Sequence, residues 1–213
     1  MDRRICTVFR KKSERDTGGS ERFLLLSLNH PLGYDRNMIV RQITKNSPGL
    51  KDVRELYNSS FPDMERIPWG RLVRSLSEDR ILNTYYEDDQ LIGMTYHFCF
   101  QDMVYFGYLA VNPDIRNRGY GTAILRKMHE LCEGKRIVGD IEEVIPGVKD
   151  EAERKRRRDF YLRNGYESCN VFCVFFGVDY EILSHGGTVS AQEWTDLINA
   201  HWEKAVMFMR IKP

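Results

Sequence analysis

Hydrophobic and polar positions set one rhythm in the first half of the chain and another in the second. Residues 39–43, Ile-Val-Arg-Gln-Ile, read as a strand. Leu50, Val53, Leu56 and Tyr57 then recur at helical spacing. Ser47 and Pro48 ahead of them read as an N-cap followed by a proline in the first turn. The helix is expected to stop near Phe61, because a residue before proline is pushed out of the helical region. A loop over 67–70 leads to a second short helix over 72–76. Strand-like runs over 81–86 and 91–98 flank the polar stretch Glu87-Asp88-Asp89-Gln90 and predict a hairpin. A further strand, rich in aromatic and β-branched residues, covers 104–111.

Beyond residue 120 helices and strands alternate. Ile124, Leu125, Met128, Leu131 and Cys132 form one stripe of an amphipathic helix over 122–132. A strand over 137–144 follows, then a charged helix over 151–164 with Gly165 just past its end. Strands over 171–176 and 178–183 meet at Gly177. Ser190 and Glu193 form a capping box that opens a last helix carrying Trp194, Leu197, Ile198 and Trp202. Residues 1–37 keep no period and carry a local excess of three positive charges. They predict a poorly ordered or docking extension, with 23–28 laid down as a strand or helical turn. The expected organisation is this extension, a folded domain over 38–183, and a helical extension over 184–213 packed on it. The fold class is α/β, with a mixed, mostly antiparallel central sheet and helices on both faces.

Composition narrows the function classes. Hydrophobic residues make up 42% of the 213 and charged residues 30%, which is globular. Lys and Arg number 32 against 31 Asp and Glu, a net +1 that argues against a dedicated nucleic-acid binder. No apolar run nears the ~18 residues of a membrane span, and none reads as a signal peptide. The five cysteines have no C-x-x-C spacing, and the five histidines have no ligand spacing. No metal and no disulfide framework are expected, and a reducing cytoplasm is the simplest home. Cys169 and Cys173 are expected to share a face and to pack.

Candidate chemistry concentrates in Leu109-Ala110-Val111-Asn112-Pro113-Asp114-Ile115-Arg116-Asn117-Arg118-Gly119-Tyr120-Gly121-Thr122. A strand ends, a polar loop follows, and two glycines open a helix. The first amides of a helix have no internal partner and lie at its positive end, so the turn suits a pyrophosphate. A dinucleotide fingerprint fails because Ile124 occupies its third glycine position, although Glu142 lies where the ribose acid would be. A Walker loop would need Gly-Lys-Ser/Thr, which is absent. A plain helix start, with glycine for packing, is the bland alternative.

A second motif lies one strand and one helix later: Phe160-Tyr161, then Gly165-Tyr166, within Arg156-Arg157-Arg158-Asp159-Phe160-Tyr161-Leu162-Arg163-Asn164-Gly165-Tyr166. Taken together, the two motifs and the element order over 38–183 resemble the GNAT superfamily of acyl-CoA-dependent N-acyltransferases. The resemblance implies a GNAT-like sheet and acetyl-CoA as co-substrate. It implies that Leu109, Ala110 and Val111 bind pantetheine and acetyl through main-chain groups. The loop from Arg116 and Asn117 through Arg118, Gly119, Tyr120 and Gly121 to Thr122 would hold the pyrophosphate. The family's cofactor-contacting Asn has no match; an acidic and basic insertion over 146–158 stands in its place.

Amide formation needs a neutral amine, a stabilised oxyanion and a protonated leaving thiolate. An amine of pKa ~10 is only about one part in a thousand neutral at pH 7, so a base helps. Glu142 and Glu143 lie at the end of a predicted strand; adjacent residues face opposite ways, so at most one reaches a cleft. Glu142 is slightly favoured; in the bland reading both are solvent-facing charges at the strand end. Tyr161, protonated at pH 7, can serve as acid or as an aromatic packing residue. The amide of Ala110 or Val111 is the natural oxyanion donor. Arg154 to Arg158 read as a solvated helix face near acidic neighbours, with contact to cofactor phosphates as the main alternative and a basic helix gripping nucleic acid as a further one. By family analogy Glu65, Arg66 and Trp69 would line an acceptor pocket; a surface loop with a buried aromatic explains them equally well. The expected partner is an amine-bearing small molecule or peptide, with no nucleic acid and no membrane. A homodimer through the last helix is left open, with packing preferred. A catalytically silent acyl-CoA-binding module is the alternative function.

Overall fold

The computed structural model describes residues 23–24, 38–175, 177–202 and 210–211. They fall into two compact units. The first holds the residues up to His97 together with Tyr108–Leu131; the second holds Phe98–Gly107 together with those from Cys132 onward. Strands β4 (Gln90–Phe100) and β5 (Met103–Val111) run through both.

In the first unit, β1 (Phe23–Leu24), β2 (Ile39–Ile43) and β3 (Arg80–Glu87) precede β4 and β5 in sheet order. The β1–β2 and β2–β3 pairs are antiparallel, with Phe23 opposite Arg41 and Ile39 opposite Tyr86. The turn from β3 to β4 is made by Asp88 and Asp89, both at positive φ (47° and 62°), as a tight hairpin turn requires. Helices α1 (Leu50–Ser60) and α2 (Trp69–Ser75) lay Val53, Leu56, Tyr57 and Leu72 on a core with Leu82, Met94, Tyr96 and Tyr108. Each fully buried aliphatic side chain there contributes roughly 1.5–3 kcal/mol. Gly93 belongs to the opposite face and admits α3 (Tyr120–Leu131): a Cβ at this position would lie 2.6 Å from Ile124 Cδ1 and 2.4 Å from the Ala110 carbonyl oxygen. Helices therefore cover both faces of this unit.

In the second unit β5 is followed in the sheet by β6 (Arg136–Glu142), β8 (Val178–His185), β7 (Glu167–Phe175) and β9 (Arg210–Ile211). The β5–β6 pair is parallel and the other pairs of this unit are antiparallel. Helix α5 (Ala191–Trp202) packs Trp194, Leu197 and Ile198 on Tyr105, Val138 and Ile182. Helix α4 (Glu151–Arg163) reaches the other face, where Tyr161 stacks on Phe106. The expected α/β class, with its mixed and mostly antiparallel pairing, is what the structure has. Cys169 and Cys173 both pack in the core under α5.

Four expectations change. The N-cap of α1 is Gly49, at φ 76°, and not Ser47. Two residues separate Ser47 from the helix, so its hydroxyl turns back and accepts the Thr44 amide at 2.9 Å. Strand β7 begins at Glu167 rather than 171; a bulge between Ser168 and Phe172, with Asn170 at φ 53°, hides its period in the sequence. Strand β6 ends at Glu142, leaving Glu143 beyond it. Of the run Arg154 to Arg158, Lys155 and Arg156 are exposed as expected, while Arg154, Arg157 and Arg158 are half-buried and pair directly with the acidic Glu142 and Glu181 of their own unit. Of the 23–28 segment only β1 lies within the described residues; residues 25–28, like the rest of 1–37, lie outside them. Among the described residues no helix is long and apolar enough to cross a membrane.

Candidate active site

Where β5 ends, Asn112 fixes the exit of the chain. Its amide donates to the Ile92 carbonyl at 2.8 Å, its side chain donates to the Leu91 carbonyl at 3.1 Å, and its side-chain oxygen accepts the Asp114 amide at 3.2 Å. A short 3-10 turn, Pro113–Ile115, buries Ile115 and leaves Arg116, Asn117 and Arg118 exposed. Arg116 leans back, its Nε donating to the Val111 carbonyl at 3.4 Å. Asn117 and Gly119 take positive φ (62° and 81°). Backbone of this kind turns successive amides toward one side and forms an anion-binding concavity. The Gly119 carbonyl accepts the Ala123 amide at 3.1 Å and so opens α3. The amides of Gly121 and Thr122 precede that bond and have no carbonyl to meet within the helix. Backbone amides so placed suit an anion of the size of a diphosphate.

Tyr120 differs from its neighbours. Its ring is buried and its hydroxyl donates to Glu87 at the end of β3, so the side chain anchors α3 rather than facing a ligand. Ala110 is buried, with Leu109 and Val111 half-buried beside it on β5. One residue earlier, Tyr108 holds the α1–α2 loop. Its hydroxyl donates to the Glu65 carbonyl at 2.7 Å and accepts the Ile67 amide at 3.0 Å. Tyr57, Phe61 and Trp69 close around it, with Tyr57 and Tyr108 edge to face at 5.0 Å. Glu65, Arg66 and Trp69 thus sit on a loop tied to β5, a link through Tyr108 that no sequence spacing reveals.

The second unit carries the titratable groups. Parallel pairing of β5 with β6 runs from Met103–Arg136 to Tyr105–Val138. Phe106, one residue on, lies directly over Gly139, where a Cβ would come 2.1 Å from its ring. Tyr161 stacks on Phe106, with centroids 5.6 Å apart and planes at 29°. Tyr166 meets both rings edge on. Tyr161 also anchors the end of α4: its carbonyl accepts the Tyr166 amide at 3.1 Å while Gly165 donates to Leu162 at 3.1 Å, a Schellman motif closed by Gly165 at φ 82°. Burial pushes the Tyr161 hydroxyl well above the usual phenol range, opposed by Arg157 and reinforced by Asp140. It is therefore a phenol at any physiological pH.

Glu142 comes close to α4, and the structure pairs it with two cations. Arg157 Nη1 lies 2.6 Å and Arg154 Nη2 3.4 Å from its carboxylate. Glu143 lies past the strand, with its amide on the Asp179 carbonyl at 2.8 Å and its carbonyl receiving Arg154. Asp140, which the motifs did not single out, accepts the Tyr105 hydroxyl at 2.7 Å. Burial pushes the Asp140 carboxyl up, and that hydrogen bond pulls it partly back. The available signal was a carboxylate inside an otherwise apolar strand, Ile137-Val138-Gly139-Asp140-Ile141. The structure thus brings Tyr161 and Glu142 together around Arg157, while the glycine loop belongs to the first unit.

Comparison with known proteins agrees with these features. Residues 79–168 match the family model described as the acetyltransferase (GNAT) domain. Among solved structures, a GNAT-family protein from Bacteroides thetaiotaomicron is 24% identical with a TM-score of 0.63, covering 80% of this chain and 99% of that one. The ribosomal-protein-S18-alanine N-acetyltransferase of Escherichia coli is 11% identical with a TM-score of 0.55, covering 73% and 97%. An acetyltransferase of Bacillus subtilis in complex with CoA is 13% identical with a TM-score of 0.52, covering 68% and 96%. At these identities the likeness is one of fold. No curated protein matches the chain.

Proposed function

We propose that this protein moves an acetyl group from acetyl-CoA to a primary amine by direct attack, with both substrates bound at once, a reading supported by the match of residues 79–168 to the acetyltransferase (GNAT) domain model. That match supports reading the chain as an acyl-CoA-dependent N-acyltransferase with coenzyme A as the carrier of its acyl group. Acetyl-CoA, when bound, supplies the activated thioester carbonyl. The acceptor is an amine-bearing small molecule or a peptide.

The observation that carries this reading is the entry to α3, where Gly119 at φ 81° precedes the amides of Gly121 and Thr122. Those amides, with Asn117, Arg116 and Arg118, bind the diphosphate; the helix end supplies the positive field. Leu109, Ala110 and Val111 offer main-chain groups to the pantetheine arm, and the Ala110 or Val111 amide steadies the developing oxyanion. Tyr161 gives its proton to the departing sulfur. The amine loses its proton to the end of β6, the strand that presents Glu142 and leads to Glu143.

The test is release of thiol from acetyl-CoA in the presence of a panel of primary amines: a polyamine, an aminoglycoside and an alanine-starting peptide. Tyr161→Phe is expected to lower turnover about 10²-fold and to leave acetyl-CoA affinity unchanged. Unaltered turnover removes Tyr161 from the mechanism. Tight acetyl-CoA binding with no thiol release from any amine would mark a silent binding module instead.

A further inference from the structure

Resting on that reading, we infer that the end of the β3–β4 hairpin is a clamp that sets the diphosphate cradle, with Glu87, Tyr120 and Asn112 as positioning residues for acetyl-CoA. All of its parts lie in the first unit. The loop from Asn112 to Tyr120 leaves β5 and opens α3, and both of its ends are fastened to this one hairpin. At the near end the Asn112 amide donates to the Ile92 carbonyl at 2.8 Å and the Asn112 side chain to the Leu91 carbonyl at 3.1 Å, both at the start of β4. At the far end the Tyr120 hydroxyl donates to the carboxylate of Glu87, the last residue of β3. Between these two anchorages the hairpin turns within Asp88 and Asp89. Gly93, next after Ile92, lets the Ala110 carbonyl and Ile124 of α3 close in on the same strand.

Tyr120 is the first residue of α3 and stands between Gly119 and Gly121. Two glycines give the main chain wide conformational freedom, and that freedom is lost when an anion orders the amides. A loop already held at both ends has lost most of it before the ligand arrives, which is the gain of preorganisation. The buried Tyr120 ring fixes the chain directly ahead of the Gly121 and Thr122 amides. Those amides cannot swing away unless the ring withdraws and its hydroxyl leaves Glu87. The middle of the loop stays open, with Arg116, Asn117 and Arg118 exposed toward a ligand.

Packing alone does not account for the phenol, since a phenylalanine ring would fill the same space. A phenol on a carboxylate makes a directed, charge-assisted hydrogen bond, which fixes the helix entry in one register. Nor does charge account for the carboxylate. A negative group one side chain away from an anion cradle opposes the anion, so the part Glu87 plays is geometric: it is the oxygen on which Tyr120 hangs.

The experiment titrates acetyl-CoA into the full chain and its variants by calorimetry. Tyr120→Phe, Glu87→Ala and Asn112→Ala are each expected to raise Kd about tenfold. Glu87→Gln keeps an acceptor oxygen and should hold the wild-type affinity or better it. The double variant Tyr120→Phe with Glu87→Ala should lose no more than Tyr120→Phe alone, because both changes remove one bond. Thiol release at saturating acetyl-CoA should stay at the wild-type rate in Glu87→Ala. A second readout needs no ligand: hydrogen exchange of the Ala123 amide, which closes on the Gly119 carbonyl at 3.1 Å, should quicken in the three weakened variants and not in Glu87→Gln. Affinity and exchange untouched by Tyr120→Phe and Glu87→Ala would overturn the clamp, and so would additive losses in the double variant. Untouched affinity in Asn112→Ala would overturn its two-ended form. A Glu87→Gln chain as weak as Glu87→Ala, or slowed turnover at saturation together with a lower melting temperature, would mark a merely structural contact and also overturn it. Wild-type chain that takes up no acetyl-CoA, while Ala123 exchange still quickens in the variants, speaks against the acetyl-transfer reading beneath and not against the clamp.

Discussion

At the scale of single residues, the second unit turns on what Gly139 leaves empty. Its missing side chain lets the Phe106 ring settle on β6, and Tyr161 stacks on that ring. Gly139→Ala would force Phe106 aside, at about 1–3 kcal/mol of overpacking. The expected outcome is a lower melting temperature together with reduced turnover; an unchanged melt and unchanged rate would show that the slot does not position Tyr161. In the first unit a different residue bears on acid stability. His97 is fully buried, its Nε2 against the Thr95 hydroxyl, which in turn meets Tyr85 at 2.9 Å. Burial lowers its pKa to about 4, against 6.5 in an unfolded chain. The unfolded state therefore takes up this proton first as pH falls. The stability that His97 contributes is whole above pH 6.5 and declines toward pH 4, by about 3 kcal/mol. Denaturant melts across that window should show the loss, and His97→Gln should remove this part of it. An identical slope in the variant would contradict the account.

At the scale of elements, β6 and α4 show how far the sequence is legible. The charged stretch of α4 and its closing Gly165 are plain in the sequence, because a C-terminal glycine with positive φ has one common use. The direction of its arginines is not. Arg154, Arg157 and Arg158 read as solvated near acidic neighbours, but that those neighbours are Glu142 and Glu181, on strands β6 and β8, is not visible locally. Long-range pairing of this kind leaves no local period. The glycine loop before α3 is legible for the opposite reason: its conformation is set by residues within a few positions of one another. Asp140 and Tyr108 fall between these cases, since their roles depend on partners that only the sheet brings near. The same holds for α5. Its capping box is visible in the sequence, but the cation that joins it to the strands is not. Arg136 binds Asp102 with two bonds of 2.8 and 2.9 Å and Glu193 with one of 2.7 Å. Those bonds hold the Glu193 carboxyl down to about 2. Arg136→Ala is expected to cost about 1–3 kcal/mol, read as a drop in melting temperature, and to flatten the stability loss between pH 4.5 and 2. A melt equal to the wild type would mean that α5 docks through its apolar face alone.

At the scale of the whole molecule, two compact units share β4 and β5, and each contributes its own part of the proposed chemistry. The first holds the helix entry at Gly119 and the main chain of Leu109 to Val111; the second holds Tyr161. Everything chemical in the account presupposes that the chain takes up acetyl-CoA. Titration calorimetry of acetyl-CoA into the full chain tests this most directly. The account predicts saturable binding of one molecule per chain, weakened when Gly119 is replaced by valine. Absence of saturable binding to the wild type, or affinity untouched by that replacement, would contradict it.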